Sequence, residues 1–201
     1  MRPVRVITGT AVPLERSDVD TDQIIPAEWL KRVERSGFGA GLFAAWRAAD
    51  PDFPLDRPEH AGATILVTGP NFGIGSSREH AVWALTDHGF RAVVSPRFAD
   101  IFRTNATKAG LVPVTVDPAV AEALLAAVRA DPATEITVDV AEGRVAAPAA
   151  GVEAPFELDD FTRHRLLAGL HDIDLTLAHE HAIAAFEAAR PAWLPTTSDP
   201  G

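Results

Sequence analysis

The chain has 201 residues, enough for a single domain that buries about 70% of the surface its unfolded form exposes. A formal charge of −10 argues against nucleic acid as a partner, because phosphate binding needs a basic surface, and leaves small molecules or proteins. Hydrophobic residues make up 47% of the sequence but never run to the roughly 18 apolar residues of a membrane span, and the lack of cysteine removes both disulfides and the thiolate ligands of an iron–sulfur cluster.

The first residues carry too short an apolar run for a secretory signal, so a cytoplasmic location is expected. Residues 4–7 read as a first strand, with turn chemistry following through Gly9 and Pro13. Asp18, Asp20 and Asp22 alternate like the opening of a calcium loop. Gln23 and Trp29, however, occupy the places of the required glycine and glutamate, which argues against calcium binding. Without other information an Asp-rich, self-hydrogen-bonding turn is the plainer reading. Pro26 suits the first turn of a helix over 27–33 that carries Trp29, Leu30 and Val33 on one face. A second helix is expected over 41–49, with Phe43 and Trp46 as core, and a proline-rich loop over 51–58.

Residues 63–67, Ala-Thr-Ile-Leu-Val, form a short apolar and β-branched run that suits a buried strand. A glycine-rich turn follows, and Ala81, Val82, Ala84 and Leu85 then repeat at helical spacing. Ser76 and Glu79 stand three apart, as in a capping box, which predicts a helix N-terminus at the two serines. Such a terminus presents unpaired N–H groups and a partial positive charge, and Arg78 adds a full one, so the segment is built for a carboxylate or phosphate. A serine hydroxyl there is a candidate base or nucleophile. Gly69, Gly73 and Gly75 allow positive φ or close approach to a ligand. An ordinary capped helix after a tight turn explains the pattern about as well. The glycine spacing is not that of a dinucleotide fingerprint, no lysine completes a phosphate-binding loop, and no nucleophile elbow is formed.

Further on, 91–95 reads as a strand, 98–110 as a helix and 111–116 as a strand that Pro113 marks as an edge or a bulge. Residues 118–130 are an amphipathic helix, and 135–140 pairs with 143–145 in a hairpin about Glu142 and Gly143. A helix opens at Asp159 and runs through Leu170, and another runs to Arg190, where Pro191 ends it. His179, Glu180 and His181 are too close together for a zinc motif, and no metal is assigned. Alternating strands and helices make an α/β domain.

The run Gly73-Ile74-Gly75-Ser76-Ser77-Arg78-Glu79-His80-Ala81 resembles the signature of the aconitase superfamily's swivelling domain. So do the segment from Asp18 to Pro26, Phe98-Ala99-Asp100-Ile101-Phe102, and the ending Arg190-Pro191-Ala192-Trp193-Leu194-Pro195. Within the superfamily the likeness is to the family of 3-isopropylmalate dehydratase small subunits. The resemblance implies a single swivelling β/β/α domain over 1–195, with 196–201 as a disordered tail. It implies a hydro-lyase subunit of leucine biosynthesis that binds no cofactor itself, with a 4Fe-4S cluster on a separate large subunit and a small dicarboxylate as substrate. Ser76 matches the catalytic serine; Gly75, Ser77 and Arg78 match the substrate binders. Asp22 lies in the Thr-Asp site loop, as a second catalytic candidate that orients an arginine or the substrate, and Leu30, Lys31 and Arg32 lie where the family shapes its specificity pocket. A related hydro-lyase of the citramalate or homoaconitate type, or an anion-binding domain without catalysis, stands as the alternative.

Overall fold

In the computed structural model, residues 1–31, 36–191 and 193 are described. Among the described residues, eight four-residue strands form two sheets. Strands β2 (Ala11–Leu14), β3 (Ile65–Thr68), β4 (Ala92–Ser95) and β5 (Val112–Thr115) make a parallel sheet in that order. Strands β1 (Val6–Gly9), β6 (Ile136–Asp139), β7 (Arg144–Ala147) and β8 (Val152–Pro155) make an antiparallel sheet, also in chain order.

The parallel strands are buried on both faces, which is why they read as unbroken apolar runs rather than as alternations. Leu66 and Val93 face one core, completed by helix α3 (Glu79–His88), helix α4 (Asp100–Ala109) and the aromatic residues Phe38, Phe43, Phe53 and Phe90. Ile65, Val67, Val94, Val112 and Val114 face the other, completed by helix α5 (Pro118–Ala130) and by Ile136, Val138 and Val145 of the antiparallel sheet. The result is a β/β/α layering.

Several elements form as the sequence implies. Helix α5 spans the whole predicted stretch, capped by Asp117 and opened by Pro118. The hairpin closes with Asp139 opposite Arg144. Pro113 does mark an edge strand, and the remaining differences have local causes. The stretch expected to turn at Gly9 and Pro13 contains β2, on the opposite edge of the parallel sheet, where a proline costs no ladder hydrogen bond. Pro155 sits likewise on edge strand β8. The helix expected over 41–49 is divided, with a 3-10 turn Phe38–Gly41, Phe43 at φ 52, and then helix α2 (Ala44–Ala49). The helix predicted from Ala27 is a 3-10 turn, Ala27–Lys31, whose continuation lies outside the described residues, as does the predicted tail. The C-terminal part forms helices α6 (Asp160–Ala168), α7 (Asp172–Leu177) and α8 (Glu180–Ala188). Among the described residues no helix is long and apolar enough to cross a membrane.

Candidate active site

Three loops leave the C-terminal ends of β2, β3 and β4, the edge of an open parallel sheet where crevices form. The loop after β2 runs into the four-residue helix α1 (Thr21–Ile24), which precedes α2. Its start is fixed by Asp20, whose Oδ1 accepts from the Gln23 backbone N–H at 2.7 Å while Gln23 Oε1 accepts from the Asp20 N–H at 2.9 Å. The alternating aspartates therefore divide their tasks. Asp20 caps, Asp18 accepts a 2.6 Å hydrogen bond from the Asn71 side chain, and Asp22 points out to Arg78.

The loop after β3 is sewn onto this segment over a separation of about fifty residues. The Asp18 N–H donates to the Pro70 carbonyl, the Gly73 N–H to the Val19 carbonyl, and the Thr21 N–H to the Ile74 carbonyl, all at 2.8 to 2.9 Å. Gly69 is needed for close approach, since a Cβ there would stand 2.7 Å from the Arg16 carbonyl oxygen. Gly73 and Gly75 take φ of 80° and 89°, in the left-handed region glycine favours. The loop after β4 closes the third side: the Phe72 N–H donates to the Arg97 carbonyl and the Ala99 N–H to the Phe72 carbonyl, both at 3.0 Å. Ser95, fully buried, places its hydroxyl 2.7 Å from the Gly69 carbonyl oxygen, tying β4 to the glycine loop.

One expectation is corrected here. The capping box of Ser76 and Glu79 does not form: α3 begins at Glu79, Arg78 occupies its N-cap position, and no side chain caps it. Ser76 is held elsewhere. The positive φ of Gly75 and the bridge between Asp20 and Ile74 keep the chain non-helical there, and the Ser76 carbonyl accepts a 3.0 Å hydrogen bond from the hydroxyl of buried Thr21. The serines thus precede the helix instead of starting it. Their hydroxyls are exposed, and among the described residues neither makes a hydrogen bond.

Thr21, Gly73, Gly75, Ser76 and Arg78 line a cleft of ≈ 230 Å³, with Asp100, Ile101, Phe102 and Asn105 of α4 as the opposite wall. Arg78, its side chain 18% exposed, is paired through Nη1 with Asp22 Oδ1. That pair fixes the guanidinium while leaving its other donors available for a carboxylate. Asp22 and Ser77 are not among the residues that line the cleft, Asp22 reaching it through Arg78, and Leu30 and Lys31 follow on the 3-10 turn beyond Pro26. Arg32 lies outside the described residues. His80, at the end of the motif, packs its ring 4.6 Å from that of Trp83 and 5.4 Å from that of Phe38, so it belongs to the scaffold. The residues the sequence did not single out as site members are Thr21 and the α4 wall. The Phe98–Phe102 motif at the mouth of a parallel strand was the available signal for the wall. Among the described residues no group of three or more His, Asp or Glu side chains is arranged to hold a metal.

An Aconitase C-terminal domain model matches residues 1–119, and a model of the C-terminal domain of the 3-isopropylmalate dehydratase small subunit matches residues 172–199. The chain is 66% identical over 198 residues to a 3-isopropylmalate dehydratase small subunit from Parafrankia sp., covering 98% of this chain and all of that one. It is 60% identical to the small subunit from Thermobifida fusca over 98% of this chain and all of that one. The crystal structure of a 3-isopropylmalate dehydratase from Methanocaldococcus jannaschii superposes with a TM-score of 0.65 at 26% identity, over 90% of this chain and 99% of that one. The fold is therefore that of the aconitase superfamily's swivelling domain, and the chain belongs to the family of 3-isopropylmalate dehydratase small subunits.

Proposed function

We propose that the chain is the small subunit of a two-chain hydro-lyase that isomerises 2-isopropylmalate to 3-isopropylmalate in leucine biosynthesis. The observation that carries this reading is the 66% identity to a small subunit of that name, over an alignment that spans essentially the whole chain and both site loops. The reaction removes a proton from the carbon beside one carboxylate and hydroxide from the neighbouring carbon, giving an alkene and water, and then returns water with the two positions exchanged. The chain has no cysteine to ligate an iron–sulfur cluster, so its residues do not fit that group as a resident cofactor, and the cluster is assigned to the large subunit.

On this chain the cleft supplies two things. Arg78, held by Asp22, clamps a substrate carboxylate and fixes which carbon faces Ser76. Ser76 takes and returns the carbon-bound proton. The Arg78 charge two residues on, and the N–H groups of α3 that begin just beyond it, favour the alkoxide form of Ser76 that accepts the proton and becomes the hydroxyl. Leu30, Lys31 and Arg32 act on specificity only if the segment after Pro26 reaches the substrate in the assembled complex.

The test is anaerobic co-purification of the tagged chain from its host, with isomerisation assayed in the eluate and in the chain alone. Turnover is expected only with an iron–sulfur partner present. In that complex Ser76→Ala should lower kcat by about 10² to 10⁴ without weakening assembly, the range of a positioned acid–base group. Normal turnover by the variant would remove Ser76 from the chemistry.

A further inference from the structure

The large apolar side chains left in water are not scattered. Eight are exposed among the described residues, and all but Val6 lie on α4 or beyond residue 160. Ile101 is 51% exposed, Phe161 58%, Ile173 71%, Leu177 57% and Phe186 70%. Helices α7 and α8 bury no residue at all. An amphipathic element that buries nothing against its own chain has paid the ordering entropy without the apolar burial that offsets it, and so marks an interaction surface.

The band is joined to the active site. Ile101 stands in the wall of the Ser76 cleft, and its neighbour Asp100 lines both that cleft and a second groove between α4 and α6. Phe161 lines the same groove. Asp172, the first residue of α7, closes it with Oδ1 2.9 Å from Arg165 Nη2 and Oδ2 3.4 Å from Lys108 Nζ. Exposed apolar side chains thus flank a groove whose own walls are mostly polar, Arg103, Thr104 and Lys108 among them, from Ile101 at the cleft to Phe161 on α6 and on to α7, where Ile173 and Leu177 are one turn apart.

We infer that this band, Ile101 to Phe161 to Ile173 and Leu177, is the docking surface for the iron–sulfur large subunit. The inference rests on the reading of the chain as a small subunit. Two observations choose this occupant over a second copy. A chain without cysteine needs its cluster presented from outside at the Ser76 cleft, so the partner must cover the rim where Ile101 sits. In addition, the exposed helices fall in the 172–199 segment that matches the small-subunit model, outside the 1–119 match to the aconitase domain. The segment that goes with being a separate subunit is the one in which no described residue is buried. Glu180 and Glu187 are exposed on α8, so the partner face that this surface fits is one that sets apolar groups beside basic ones.

The experiment is titration of the full-length chain with purified large subunit under anaerobic conditions, reading Kd by calorimetry and kcat at saturation. The double variant Ile173→Ser, Leu177→Ser should raise Kd at least about tenfold. Its melting temperature and its kcat at saturating partner should stay those of the parent, since both side chains are in water in the free chain. A variant Val6→Ser, at the exposed apolar residue on β1 away from this region, should leave Kd unchanged. An unaltered Kd in the double variant would overturn the assignment. So would a self-association of the free chain that the double variant abolishes while the two-chain complex persists. If the parent complex forms tightly yet does not turn over isopropylmalate, the substrate reading fails while the docking surface is judged on Kd alone.

Discussion

Thr21 is the residue whose role the sequence conceals. It has ordinary chemistry and no charge, yet it holds both sides of the Gly75 turn, its N–H on the Ile74 carbonyl at 2.9 Å and its hydroxyl on the Ser76 carbonyl at 3.0 Å. Thr21→Val keeps the shape and removes one donor, leaving the Ser76 carbonyl without this partner and the serine free to drift. The expected result is a kcat reduced about tenfold or more with KM and subunit affinity little changed, and recovery in Thr21→Ser, which restores the hydroxyl; equal activity in the Val variant would show that the turn holds itself. Arg78 poses a different demand. One guanidinium nitrogen is engaged by Asp22 while the residue also lines the cleft, a double task that a single ammonium cannot reproduce. Arg78→Lys should therefore raise KM as well as lower kcat, and an unchanged KM would remove the clamp. Asp22 and Arg78 are candidates that the sequence itself offers. Their relation was not legible there, because Asp22 and Arg78 meet only after β2 and β3 pair and bring two loops together, a fact no local spacing encodes.

Among the elements, legibility followed how far each one's geometry is set by its own residues. Helix α5 was readable from end to end because Asp117, Pro118 and a regular apolar stripe all agree. The start of α3 was misplaced for the opposite reason. Ser76 and Glu79 satisfy a local capping pattern, but the tertiary bonds from Thr21 and Val19 to the preceding loop compete with it and prevail. Strand β2 was hidden by Pro13, which reads as a breaker until the strand is seen to lie at a sheet edge. The glycine loop carries its own prediction. At Gly73, φ is 80° and a Cβ would fall 2.3 Å from Phe102 Cγ, so Gly73→Ala must both strain the backbone and push α4 away from the cleft. Chemical denaturation should show a loss of about 1–3 kcal/mol, accompanied by lower activity in the assembled enzyme; a variant as stable as the parent would mean the loop relaxes freely.

At the scale of the whole molecule, acid sensitivity divides into two windows. His60 is buried with no hydrogen-bond partner on Nδ1, and burial holds its pKa below the ordinary histidine value; His88 is lowered likewise, by burial and then by Arg47. A folded-state value below the unfolded one means that the unfolded chain binds more protons. This contribution is accordingly full above about pH 6.5 and is lost as pH falls through the folded values. Asp56, lowered by its hydrogen bonds from Arg47, and Asp159, lowered by those from Thr162, add a loss only in the more acid range below about pH 4. Melting temperature should decline in two stages on acidification, and His60→Gln should flatten the first; an unchanged first stage would mean that His60 titrates freely. The edge prolines carry a different consequence. Pro13, Pro113 and Pro155 occupy three of the four outer strands of the two sheets, so a copy newly released from the ribosome and still without its partner offers few backbone sites to which a stray strand could zip. An orphaned subunit is thereby kept in reserve for assembly, with its stickiness confined to side chains that a partner can cover.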